Sequence, residues 1–206
     1  MTPHITTEGT GRREAMPDLA MVEVTATGDG DSAMIAREAA RDHAATIEAS
    51  LTTPDDRIRT VERSITDTEG AFEPETDAPY RATERLVVDC VPETVGDVVV
   101  ETTDAGGEVQ SIDFHLHEAV RRELRDEALE AATERAREKA ERVAAVEELA
   151  VTEVRAVREG ETSTGMQGFV DEALDFAPDT DFQPSPVAIT ETVEVEFELE
   201  TASSGR

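Results

Sequence analysis

Asp113, His115 and His117 alternate with Ile112, Phe114 and Leu116 in the segment IDFHLH. In an extended strand successive side chains point to opposite faces, so the polar three share one face and the apolar three the other. Two imidazoles and a carboxylate form the donor set of a facial-triad metal centre, which makes Asp113, His115 and His117 the metal-ligand candidates. Ligands two residues apart on one strand stand roughly 6–7 Å from each other, so Asp113 and His117 splay unless a loop adds donors. The plainer reading is the solvated or interface face of a strand, and no resident metal is expected.

The remaining motifs carry less chemistry. Gly28-Asp29-Gly30-Asp31-Ser32 has the look of a calcium loop but lacks its downstream bidentate Glu, that position falling on Ala39 or Ala40. It reads as a turn ending in a helix N-cap at Asp31 or Ser32. Gly9-Thr10-Gly11 lies inside a strand pattern with no third Gly opening a helix, so it is no dinucleotide fingerprint. Cys90 is the single cysteine, which excludes an intrachain disulfide. It falls on the apolar face of its strand with no His near it in sequence, as an inert buried thiol does. No nucleophile, base and orienting group recur at a catalytic spacing, so the chain is read as a non-enzyme with no cofactor.

These residues are positioned by elements that the pattern defines well. The dominant one is Glu118 to Leu149, free of Gly and Pro and filled with Ala, Glu, Arg and Leu, the strongest helix formers. Its apolar stripe, Val120, Leu124, Ala128, Ala131, Ala132, Ala136, Ala140, Val143 and Ala144, is mostly alanine, so its packing partner must approach closely. Seven of the nineteen basic residues lie on this helix, interleaved with acids at helical spacing as an ion-paired outer face. Before it, His4–Arg13 and Leu19–Thr27 read as strands, paired most simply as a hairpin. A second alanine-striped helix follows over Ala33–Leu51. Strands are predicted at Arg57–Thr66, Tyr80–Val91 and Val109–Leu116, with a short helix opened by Pro92 and closed by Gly106-Gly107. Val151–Glu159 and Val187–Leu199 complete the set, the last with Ile189, Val193, Val195, Phe197 and Leu199 inward and a Thr/Glu face outward.

The order ββα-ββα-βα-ββ gives an α+β fold, an antiparallel or mixed sheet with helices packed on one face and one long alanine-rich helix at 118–149. Residues 4–200 read as a single domain, 160–186 as a long loop and 201–206 as a flexible tail. The loop holds Met166, Phe169, Val170, Leu174, Phe176 and Phe182, three of the six phenylalanines among them. Apolar density of that kind in a long loop marks either a cap on the domain's own core or a docking surface. These six are the interface candidates.

Composition sets the milieu. Of 206 residues, 48 are Asp or Glu and 19 are Lys or Arg, a formal charge of −29. No basic footprint is clustered, which excludes nucleic acid as a partner. Lys139 is the only lysine, the other basic residues being Arg, and Asp, Glu, Thr, Ala and Val abound. Molar salt shortens the Debye length to roughly 3 Å and screens such self-repulsion, and the composition resembles that of cytoplasmic proteins from salt-in haloarchaea. No apolar run is long enough to span a membrane and the N-terminus lacks a signal-type apolar core, so a cytoplasmic location without membrane insertion is expected.

Several segments together resemble the SIMPL-domain family, a domain of unknown function also described as kinase-interacting SIMPL-like. They are ITTEGTGR at Ile5–Arg12 with MPDLA at Met16–Ala20, and RTVERSI at Arg59–Ile65 with YRATERLVV at Tyr80–Val88. VGDVV at Val95–Val99, the GxVxSIDF segment at Gly107–Phe114, AREKA at Ala136–Ala140 and VEVEFEL at Val193–Leu199 follow in the same order. The resemblance spans roughly Ile5 to Leu199. It implies an α+β fold, a tendency to assemble into rings or larger oligomers, and loosely a role in envelope or oxidative-stress physiology. It brings no catalytic residues. The chain departs from the family's pattern at the turn before its last strand, where Ser185-Pro186-Val187 replaces Pro-Gly-Glu, and in lacking the signal peptide of many bacterial members. The expected function is a stress-related oligomeric scaffold adapted to high salt, with copies of itself as partner. The alternative is a small-molecule or metal-binding module using the His115/His117 face.

Overall fold

The computed structural model describes residues 3–54, 57–68, 76–160, 163–164 and 184–201. In chain order the elements are β1 (His4–Ala15), β2 (Leu19–Gly30), α1 (Ala33–Ser50), β3 (Ile58–Asp67), β4 (Tyr80–Cys90), α2 (Val95–Asp104) and β5 (Glu108–His115). They continue with α3 (Glu118–Val146), β6 (Leu149–Glu159), the two-residue β7 (Ser163–Thr164) and β8 (Val187–Thr201). A 3-10 turn at Pro92–Thr94 leads into α2. The expected α+β order is present, with two antiparallel sheets in place of one. The described residues cluster into two compact units.

One unit holds β2, α1, β3, β4, α2 and β5, with strand order β3-β4-β2-β5. Strict alternation on β2 buries Ala20, Val22, Val24 and Ala26 completely. They meet Leu86, Val88 and Cys90 of β4, Ile112 and Phe114 of β5, Ala44 and Ile47 of α1, and Val95 and Val98 of α2. Ser32 caps α1, its hydroxyl accepting from Ile35 N, as the sequence predicts. Gly28 and Gly30 belong to β2 and not to a turn. A methyl built on Gly28 would fall 2.5 Å from Ala39 C and closer to Ala40 N, so only glycine lets α1 lie this near the strand. His43 of α1 locks the same contact, its Nδ1 2.9 Å from the Thr27 carbonyl.

The other unit holds β1, α3 and β6 to β8, with order β1-β8-β6 and β7 beside β8. β1 pairs along its whole length with β8, from His4↔Glu198 to Ala15↔Val187, and so does not form the expected hairpin with β2. The reason lies in the register. Pairing with β8 sets Gly9 opposite Val193 and Gly11 opposite Glu191, which leaves both glycines under the alanine stripe of α3. A methyl on Gly9 would lie 2.6 Å from Ala136 N. Ala128, Ala132, Ala136 and Ala140 are fully buried there, while Val143, predicted in the stripe, is exposed. Thr7 adds a hydrogen bond of 2.7 Å to the Ala136 carbonyl.

The long helix ends at Val146 and not at Leu149. Glu148 adopts φ 56°, a left-handed reversal, and Leu149 already pairs with Thr201 on β8. Arginine contacts tie α3 to the strands beside it. Arg13 reaches Glu127, Arg125 reaches Glu191, Arg135 donates to the Thr10 carbonyl and Arg137 stacks over Phe197, alongside the within-helix pair Arg122–Glu118.

Candidate functional site

β5 delivers Asp113 and His115 as predicted, half-buried on the face opposite the buried Ile112 and Phe114. The strand then stops. His117 is the N-cap residue of α3, so it leaves the alternation that aligned the three side chains. Asp113 accepts from the Ser111 hydroxyl at 3.4 Å. Among the described residues no three His, Cys, Asp or Glu side chains come together as a metal site. The structure therefore does not assemble Asp113, His115 and His117 into a metal-binding group.

A different site, which the sequence reading missed, lies in the first unit where β4 runs into α2. A cleft of about 280 Å³ opens there beside Cys90. Its apolar wall is Pro54, Cys90, Val91 and Val98, and its polar rim includes Arg57, Asp89, Asp97 and Glu101. Thr52 fixes Glu101 with two hydrogen bonds, from its amide at 2.9 Å and its hydroxyl at 2.6 Å. On the opposite phase of β4 from Cys90, Asp89 Oδ2 accepts from Arg59 Nη1 at 2.6 Å, while its Oδ1 is shielded from solvent with no hydrogen-bond partner among the described residues. Cys90 is 3% exposed, and burial pushes its thiol above the ordinary value of 9.0, against the opposing hydrogen bond of Thr94. A neutral thiol is a poor nucleophile, which fits the predicted inert role. The one sequence signal for the cleft is the i, i+4 spacing of Asp97 and Glu101, which puts both on one face of α2.

Among the described residues, each sheet also buries one carboxylate on its helix-covered face. Glu84 pairs with Arg63 at 2.9 Å, and Glu191 with Arg125 at 3.1 Å. Each is an acid on the inward phase of an alternating strand, where the pattern alone calls for an apolar residue. The outward Glu face of β8 is laced and not bare, with Glu194 held by Arg158 and Glu196 approached by Arg155 and His4.

The helices do not cover their sheets to the edge. Val154 and Val157 of β6 register with Phe197 and Val195 on the face that packs under α3, yet they remain 46% and 55% exposed. In the other unit, Ile65 of β3 registers with buried Ala82 and is 46% exposed. The interface candidates Met166, Phe169, Val170, Leu174, Phe176 and Phe182 lie outside the described residues. No helix among the described residues is long and apolar enough to cross a membrane.

The sequence profile of SIMPL, described as a protein of unknown function (DUF541), matches residues 5–197. The chain belongs to the SIMPL family. A search of curated proteins finds no match. The segments that carry the SIMPL likeness hold structural posts in this chain. Gly9 and Gly11 form the seam under α3, and Asp18 donates its amide to the His115 carbonyl at 3.1 Å, tying the start of β2 to the end of β5. Val95, Val98 and Val99 are buried core, as are Val193, Val195 and Phe197. The cleft beside Cys90 draws on two SIMPL segments, Tyr80–Val88 through the strand that leads into Asp89, and Val95–Val99 through Asp97 and Val98.

Proposed function

We propose that this SIMPL-domain protein is a non-enzymatic scaffold that assembles with copies of itself in a high-salt cytoplasm. The observation that carries the reading is the uncovered aliphatic ledge on β6. Val154 and Val157 extend the core face of the sheet beyond the helix, on a strand whose outer edge pairs with no other strand among the described residues. Copies bearing a charge of −29 repel one another over most of their surface. β6 is an exception, since Glu153 and Glu159 are balanced by Arg155 and Arg158. Antiparallel pairing of β6 with the same strand of a second copy would bury the ledge and form a self-complementary contact. The apolar segment from Met166 to Phe182, carried on the connection between β6 and β8, supplies further contact chemistry of the same kind.

Light scattering at micromolar concentration in molar KCl tests this. The expected result is a mass of two or more chains, reduced to one by Val154→Glu with Val157→Glu. A single-chain mass that neither this double substitution nor deletion of Met166 to Phe182 alters would reject the scaffold.

A further inference from the structure

We infer that two copies of this chain join β6 to β6 about a two-fold axis through Val154, Glu153 of each copy pairing with Arg155 of the other. The inference rests on the self-assembly reading and gives it a register. β6 is not a plain edge. Against β8 it carries one extra residue between Val151 and Val154 and another between Val154 and Ala156. Thr152, Glu153 and Arg155 have no register partner on β8. Bulges and charges on an edge ordinarily keep foreign strands away. These two bulges flank Val154, and so do the opposite charges of Glu153 before it and Arg155 after it. Rotation about Val154 sets bulge against bulge, so both strands run through the contact with equal residue counts. What deters other strands admits a copy of this one.

Face and charge select the same axis. Residues opposed in an antiparallel ladder point to one face. An axis at Val154 opposes Val151 to Val157, both on the core face, since they register with the buried Leu199 and Val195. It opposes Ala150 to Arg158, both on the outer face with Glu200 and Glu194. Val154 meets its own counterpart on the core face, so the exposed valines of the ledge become neighbours. An axis at Glu153 would set carboxylate against carboxylate, and one at Arg155 guanidinium against guanidinium. Glu153 is exposed and has no ion pair among the described residues. Arg155 is 3.4 Å from Glu196 and half-exposed, with further N–H donors to give a second carboxylate. α3 leaves room for the contact. It packs over Gly9 of β1 and Val193, Val195 and Phe197 of β8. With strands about 4.8 Å apart, the two α3 axes stand roughly 20 Å from each other, more than a helix diameter of about 10–12 Å.

Cysteine pairing reads the register directly. Opposed residues of an antiparallel ladder have Cα atoms about 4.5–5.5 Å apart, within the span of a disulfide. Val154→Cys in the full chain, oxidised with diamide in molar KCl, is expected to give a covalent two-chain species. Val157→Cys alone is expected to give none, because its counterpart lies roughly 20 Å along the ladder. An equal mixture of Val151→Cys and Val157→Cys chains is expected to cross-link again. The parent, whose Cys90 is buried, serves as the blank. Light scattering follows a second arm, in which charge is reversed. Glu153→Arg and Arg155→Glu are each expected to weaken assembly about tenfold, and a mixture of the two to restore it, unlike charges then facing each other. Three results, in a parent of two-chain mass or more, would overturn this register and leave assembly standing. They are no cross-link at Val154→Cys, cross-linking by Val157→Cys alone, and no recovery in the charge-reversed mixture. A single-chain mass for the parent removes assembly itself, and the register with it.

Discussion

A single methyl group separates tolerable from intolerable at several positions in this chain. Gly9, Gly11 and Gly28 meet helix backbone where any Cβ would stand, and backbone cannot swing aside as a side chain can. Gly9→Ala is therefore expected to cost about 3 kcal/mol or more, since the whole of α3 would have to lift. Gly96, in the first turn of α2, has nothing within 4 Å of a built Cβ. Gly96→Ala is expected to stabilise by roughly 0.5 kcal/mol through lower unfolded-state entropy and better helix propensity. Denaturant titration of the two variants checks both signs, and equal destabilisation would contradict the seam. The sequence showed that glycines interrupt a strand at Gly9 and Gly11, and that the facing helix is striped with alanine. It could not show that one fits the other, because close approach belongs to a pair of elements and each element is silent about its mate.

Elements were legible where a period was unbroken. The alternation from Ile189 to Leu199 and the composition of Glu118 to Val146 each gave type and extent, within a residue or three at the ends. Strand pairing was less accessible. β1 and β2 are neighbours in sequence, and Met16-Pro17-Asp18 has turn chemistry, yet β1 finds its partner in β8 and β2 in β4 and β5. The Asp113–His117 alternation failed for a related reason, the strand ending at His115 so that His117 could begin a helix. The cleft was illegible because its walls come from the β4 end, α2 and the chain after α1, with no common motif. Between β2 and β4, Asp29 and Arg81 are direct register partners joined by two hydrogen bonds of 2.8 and 2.9 Å. The Arg81 hydrogen bonds hold the Asp29 carboxyl below its ordinary value of 3.8, against the opposing pull of burial, with Thr76 assisting. A carboxylate depressed on folding contributes stability that is complete above the unfolded value and disappears as pH falls through the lower folded one. The parent should thus lose stability below pH 3.8 faster than Asp29→Asn, as acid unfolding followed by circular dichroism would register. Parallel acid profiles would remove Asp29 from the account.

At the scale of the molecule, the charge of −29 dominates. Much of it sits on exposed helix and strand faces where cross-strand arginines offset only a part, so self-repulsion is a standing cost of folding that salt relieves. The melting temperature is expected to climb steeply as KCl rises from millimolar to molar, and sodium and potassium chloride should act alike if screening is the cause. A flat response would count against a high-salt milieu. The arrangement of the two units along the chain has a separate consequence, for synthesis. The elements from β2 to β5 follow one another without interruption along the chain, whereas β1 emerges first and its partner β8 nearly last, Thr10 meeting Thr192 across 182 residues. Closing so long a connection is slow and makes β1 an unpaired ribbon for most of translation. That ribbon has two glycines, three threonines at Thr6, Thr7 and Thr10, and charges at Glu8, Arg12, Arg13 and Glu14. It is a strand composed to wait in water without sticking, and only the arrival of β8 and the alanine face of α3 turns it into core.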